Sequence, residues 1–202
     1  EVVEAVNRDR ANPLYLPDIP LNAGIEATSD MADMADRDLL LVVCPAQHLR
    51  SVVAQAPAGV PLILCSKGIE AGTHLLMSEV AAQAQPRSPI AVLSGPTFAS
   101  EVAKGLPTAI TLACADAALA AGIAARIARP AFRPYLSDDV IGAEIGGVVE
   151  VEELEVVSEV DNAIAGIVDR HVRVHPVHRR RGQGWRGNDA YLVAEQCQRQ
   201  DV

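Results

Sequence analysis

Three short segments bring together residue types that could bind a charged small molecule. Ser66-Lys67-Gly68-Ile69-Glu70 follows directly on the apolar run VPLILC (60–65), so a lysine stands just past a buried strand. In an open parallel sheet, ligands bind in the crevice beyond the carboxyl ends of the strands, where such a lysine would meet an anion. Gly68 lets the chain turn tightly there; the plainer alternative is a solvated loop lysine. Ser94-Gly95-Pro96-Thr97-Phe98-Ala99 follows the apolar run IAVL (90–93). Its small residues allow close ligand approach, and amides at the start of a following helix would attract a phosphate. Thr97 could equally serve as that helix's N-cap. Cys44-Pro45-Ala46-Gln47 ends a third apolar run at the same edge, where Pro45 could simply stop the strand.

These segments need a scaffold, and the text between them supplies one. Apolar runs at 38–44, 60–65, 90–93, 108–113 and 132–136 read as strands. Helix-compatible stretches at 46–56, 72–84, 97–104 and 116–128 alternate with them. Strands apolar on both faces, alternating with helices, predict a mainly parallel sheet covered on both sides, with right-handed crossovers. The opening, EVVEAVNRDR, reads as helix, and no GxGxxG turn occurs in the sequence.

Composition narrows the function classes. The 202 residues are 50% hydrophobic with 3% aromatics, so the core is built from Ala, Val, Leu and Ile. A net charge of -9 argues against general nucleic-acid binding, which needs basic surface to neutralise phosphates. No apolar run nears the roughly 18 residues of a membrane span, and no basic start precedes an apolar stretch. The four cysteines, Cys44, Cys65, Cys114 and Cys197, form no CxxC pair, which predicts free thiols in a reducing cytoplasm and no metal site. His171, His175 and His178 have a ligand-like spacing without a recognisable helix or a partner set, so they are not assigned a metal.

The character of the chain changes after Gly147. Glu150, Glu152, Glu153, Glu155 and Glu159 crowd together, and six arginines follow between Arg170 and Arg186. Such charge blocks predict a solvated tail of low packing density over 170–202.

Together the motifs resemble the bacterial-type NAD(P)-dependent glycerol-3-phosphate dehydrogenases. The matching text is NRDRANPLYLPDIPL (7–21), VCPAQHLR (43–50), LCSKGIEAGT (64–73), VLSGPTFASEVAKGLPTAI (92–110) and FRPYLSDDVIGAEIGG (132–147). The resemblance implies an α/β fold: a Rossmann-type, mostly parallel sheet with helices on both faces, truncated at its N-terminus. It implies a partial NAD(P)-binding domain over 1–147. Residues 148–202 then form an irregular or helical C-terminal tail, in which NAIAGIVD (162–169) echoes the family's helical domain. The family interconverts dihydroxyacetone phosphate and glycerol 3-phosphate for phospholipid precursor synthesis, so the implied cofactor is NAD or NADP and the implied partner a small phosphorylated substrate. A homodimer is left open.

Carried over by position, the resemblance makes Lys67 a contact to both cofactor and substrate. Gly95 and Thr97 become substrate contacts, and Ala99 and Pro45 cofactor contacts. Glu150 stands where the family has its proton-transferring lysine, so no residue of this chain is assigned as catalytic and turnover is expected to be impaired. The alternative is a non-catalytic nucleotide- or partner-binding remnant of the family.

Overall fold

The structure is a computed structural model and describes residues 2–152 and 190–193. It opens with a short helix, α1 (Val2–Glu4), continued by a wide helical turn, Ala5–Asp9, that stops at Arg10 in the left-handed conformation. Then come β1 (Leu39–Val42), α2 (Leu49–Gln55), β2 (Leu62–Leu64), α3 (Met77–Ala84), β3 (Ile90–Ser94), α4 (Ala99–Ala103), β4 (Thr108–Ala113), α5 (Ala117–Ile127), β5 (Phe132–Ser137), α6 (Val140–Glu152) and β6 (Ala190–Val193).

The strands lie in the order β5-β4-β3-β2-β1-β6. Every pairing is parallel except β3 with β4. Alternation along the strands builds a core on each face. Leu39, Leu41, Ile63, Ala91, Leu93, Ile110 and Leu112 pack with Ala120, Ile123 and Ile127 of α5. Leu40, Val42, Leu62, Leu64 and Val92 pack on the other face with Leu49, Val52 and Val53 of α2 and Met77, Val80 and Ala81 of α3. Leu39, Leu40, Leu62, Ile63 and Leu64 are fully buried, each contributing about 1.5–3 kcal/mol of hydrophobic stabilisation. This double burial is why those strands read as unbroken apolar runs.

Several elements differ from the expectation. The helix expected over 72–84 begins only at Met77, because residues 69–76 form a loop closed by an isolated bridge between Ile69 and Leu76. Gly72 and His74 both have positive φ, which no α-helix accommodates. The start of α3 is fixed instead by Glu79, whose carboxylate accepts the Leu76 amide at 2.9 Å. Thr97 is not a cap: Phe98 holds the N-cap position of α4, without a side-chain bond, and Thr97 is buried. Asp116 does cap α5, accepting from the amides of Ala118 and Leu119.

Two elements are additions. α6 arises in text that three glycines, Gly142, Gly146 and Gly147, make a poor helix by propensity, and tertiary contacts override that preference. In the tail, expected to be irregular or helical, Ala190–Val193 is a strand, paired in parallel with β1. Its sequence, AYLV, suits a pleated surface, and β1 offers a row of backbone groups to pair with. The remaining statements about the tail, including the NAIAGIVD likeness, the three histidines and the arginine block, lie outside the described residues.

Candidate cofactor and substrate crevice

β1, β2 and β3 run side by side in parallel, so their carboxyl ends open on one edge. Pro45 follows β1 and starts a single 3-10 turn, Ala46–His48, that leads into α2. Lys67 follows β2, and Gly95 follows β3. The three segments singled out from the sequence therefore converge at one sheet edge.

Lys67 is half-buried there, and its ammonium donates to the Gly95 carbonyl oxygen at 2.9 Å. Gly68 makes that approach possible in two ways. Its φ is +135°, and a Cβ there would lie 2.9 Å from the Ala46 Cβ, so any side chain would clash and strain the backbone together. Ser66 is buried and donates to the Cys44 carbonyl, stapling the β2 end to the β1 end. Gly95 is close-packed as well: a Cβ there would sit 3.3 Å from Ile110 Cγ1. Thr97 is buried beside it in sequence, and Ala99 opens α4. Glu150 falls on α6, one helical turn past Gly147, and its side chain lies outside the described residues.

A small cavity at this edge is lined by Ser66, Lys67, Gly68, Met77, Val92, Leu93, Ser94 and Glu144. Glu144 projects from α6 and is buried, with its carboxylate accepting both the Ser78 amide at 2.8 Å and the Ser78 hydroxyl at 2.5 Å. Burial pushes its pKa up, opposed by the Ser78 hydrogen bonds and assisted by the nearby Glu79 charge. The lining thus carries one cation, Lys67, and one buried carboxylate, Glu144, beside the hydroxyls of Ser66 and Ser94, and Lys67 is its group for an anionic, hydroxyl-bearing ligand. Among the described residues no group of three or more His, Cys, Asp or Glu side chains is arranged to hold a metal, and no helix is long and apolar enough to cross a membrane.

Residues 1–120 match the family model described as the N-terminus of NAD-dependent glycerol-3-phosphate dehydrogenase. The chain belongs to the glycerol-3-phosphate dehydrogenase family. It is 56% identical over 154 residues to the glycerol-3-phosphate dehydrogenase [NAD(P)+] of Caulobacter vibrioides, covering 74% of this chain and 46% of that protein. It is 58% identical over 152 residues to the namesake of Novosphingobium aromaticivorans, with the same shares covered. Among solved structures, the glycerol-3-phosphate dehydrogenase of Coxiella burnetii superposes with a TM-score of 0.66 at 32% identity, over 72% of this chain and 46% of that one. The chain thus spans about half the length of the curated relatives it matches.

Membership in the glycerol-3-phosphate dehydrogenase family agrees with the expected Rossmann-like, mostly parallel sheet. The residues to which sequence reasoning gave no role are those that brace the edge. Gln47, Arg50 and Glu70 tie the Lys67 loop to α2, and Glu144 ties α6 to α3. Gln47 and Arg50 stand three apart, on one helical face, which was the only signal in the sequence.

Proposed function

We propose that residues 1–147 form a cofactor domain that takes NAD or NADP at the carboxyl edge of β1–β3. The proposed reaction of the whole enzyme is hydride transfer between NAD(P)H and dihydroxyacetone phosphate, giving glycerol 3-phosphate in the cytoplasm for phospholipid precursors. The cofactor supplies the hydride, and the protein holds cofactor and ketone in one crevice. Lys67 would contact both ligands, Gly95 and Thr97 the phosphorylated substrate, and Ala99 and Pro45 the cofactor. The observation that carries this reading is the Lys67 ammonium held 2.9 Å from the Gly95 carbonyl, across the ends of two adjacent parallel strands. A cation so held is preset for an anion without first being ordered.

Turnover by this chain is expected to be impaired. A carboxylate at Glu150, where the resemblance calls for a proton-transferring lysine, opposes the alkoxide that develops on the ketone oxygen. Losing a general acid lowers the rate by about 10²–10⁴-fold. A titration of the chain with NADH, followed by nicotinamide fluorescence, tests the binding part: saturable binding that Lys67→Ala abolishes is expected. Binding unchanged in Lys67→Ala would remove this crevice from the reading. A parallel assay with dihydroxyacetone phosphate follows loss of reduced-nicotinamide absorbance, with Glu150→Lys beside the unmodified chain. Robust turnover by the unmodified chain would refute the impairment.

A further inference from the structure

The loop that carries Lys67 has little regular structure, yet it is cross-tied at three consecutive residues. Gln47 uses both ends of its amide: Nε2 donates to the Ile69 carbonyl at 2.9 Å, and Oε1 accepts the Ala71 amide at 2.8 Å. Between those two points, Arg50 of α2 grips Glu70 through two parallel bonds, Nε to Oε1 and Nη2 to Oε2, each 2.7 Å. Thr73 adds a third bond to the Glu70 carboxylate at 2.6 Å, and Gln83 of α3 accepts a further Arg50 bond at 3.1 Å. The Arg50 guanidinium, followed by Thr73, holds the Glu70 carboxyl down to about 2. Gln47, Arg50 and Thr73 thus act on residues two to four places along the chain from Lys67.

We propose that Gln47, Arg50 and Glu70 are positioning residues for Lys67: they hold residues 69–71 against the start of α2, and so keep the ammonium on the Gly95 carbonyl. The functional meaning rests on the reading of Lys67 as the cation of the crevice. The physical need is plain. Gly68 and Gly72 both have positive φ and lie on either side of the clamped residues, so the loop would otherwise sample many conformations. A long lysine side chain on such a loop would also lose its fixed partner. A bidentate arginine–carboxylate pair is the strong, orientation-specific form of an ion pair, and Glu70 is largely shielded from water.

The sequence makes a direct test possible, because the chain has two lysines, Lys67 and Lys104, and Lys104 is exposed. Reductive methylation followed by mass spectrometry gives the rate at Lys67 relative to Lys104 within one sample. Arg50→Glu and Glu70→Arg are each expected to raise that ratio about two- to tenfold, the worth of one hydrogen bond surrendered to water. The double variant Arg50→Glu/Glu70→Arg is expected to bring it back toward the unmodified value, which a merely destabilised loop would not do. Gln47→Ala makes the same comparison without a buried charge, should a charged single variant fail to fold. A ratio unchanged in folded variants overturns the positioning role. NADH titration of the same samples separates the two readings. A raised ratio in a chain whose unmodified form binds no NADH supports the clamp and counts against the cofactor crevice. An unchanged ratio with intact NADH binding does the reverse.

Discussion

At the scale of single residues, two neighbouring glycines on α6 have opposite roles. A Cβ on Gly147 would lie 2.5 Å from Ser94 Oγ and 3.6 Å from the Lys67 side chain, so α6 can rest against the crevice only because that position has no side chain. A Cβ on Gly146 would meet nothing within 4 Å. Gly147→Ala is therefore expected to lower stability by about 1–3 kcal/mol through overpacking. Gly146→Ala should raise it by about 0.5–1 kcal/mol through helix propensity. Urea unfolding of both variants checks this. Adding Ser94→Ala to Gly147→Ala should recover part of the loss, since the pair is in contact; equal losses with and without that serine would disprove the clash. Glu70 sets a second expectation at this scale. Its folded pKa lies near 2, below the ordinary value of 4.5, so its stabilisation is present above 4.5 and is lost as pH falls toward 2. Glu70→Gln should flatten that part of the stability profile, and an unchanged acid limb would count against the ion pair.

At the scale of elements, Glu144 couples α6 to the start of α3, and its titration has the opposite sign. Its pKa is raised chiefly by burial, so the folded state holds the proton more tightly than the unfolded chain. Stability from this group is complete below 4.5 and declines as pH rises through the raised value. Glu144→Gln keeps an acceptor for the Ser78 amide and removes the buried charge. It is expected to abolish the decline above pH 4.5 while leaving the acid limb set by Glu70. Thermal unfolding across pH 3–8 reads both limbs, and a Glu144→Gln profile parallel to that of the unmodified chain would show that the carboxylate is not buried as described. The same elements show what the sequence could and could not reveal. β1, β2 and β3 were legible because residues buried on both faces leave an unbroken apolar run, and Lys67 and Gly95 because each stands just past the end of such a run. The late start of α3 was hidden because AGTHLL is compatible with helix until Gly72 and His74 adopt positive φ. The Arg50–Glu70 pair spans 20 residues and the Ser78–Glu144 pair 66, distances at which local pattern carries no information.

At the scale of the whole molecule, the sheet has two covered faces but two unlike edges. One is β5, where Tyr135 and Leu136 are exposed. The other would be β1, whose four residues are all buried, were it not paired with Ala190–Val193 in register from Leu39 opposite Ala190 to Val42 opposite Val193. An apolar strand with unpaired backbone groups along one side is a template for pairing with another chain. β6 is short, but it shields those groups with a partner from the same molecule, at the end of a long connection. Ending the chain after Asp189 removes that partner without touching the crevice residues Lys67 and Gly95. The shortened chain is expected to self-associate in a concentration-dependent way, and its β1 amides should lose hydrogen-exchange protection on the exposed side. Sedimentation velocity and amide exchange measure the two effects. Adding Leu40→Lys to the shortened chain would confound edge charge with a buried lysine, because Leu40 is fully buried, so the better control is a synthetic AYLV-containing peptide added in trans. Suppression of the association by that peptide is expected if edge pairing is the cause. A shortened chain that stays monomeric at every concentration, with β1 protection unchanged, would show that β6 does not complete the sheet.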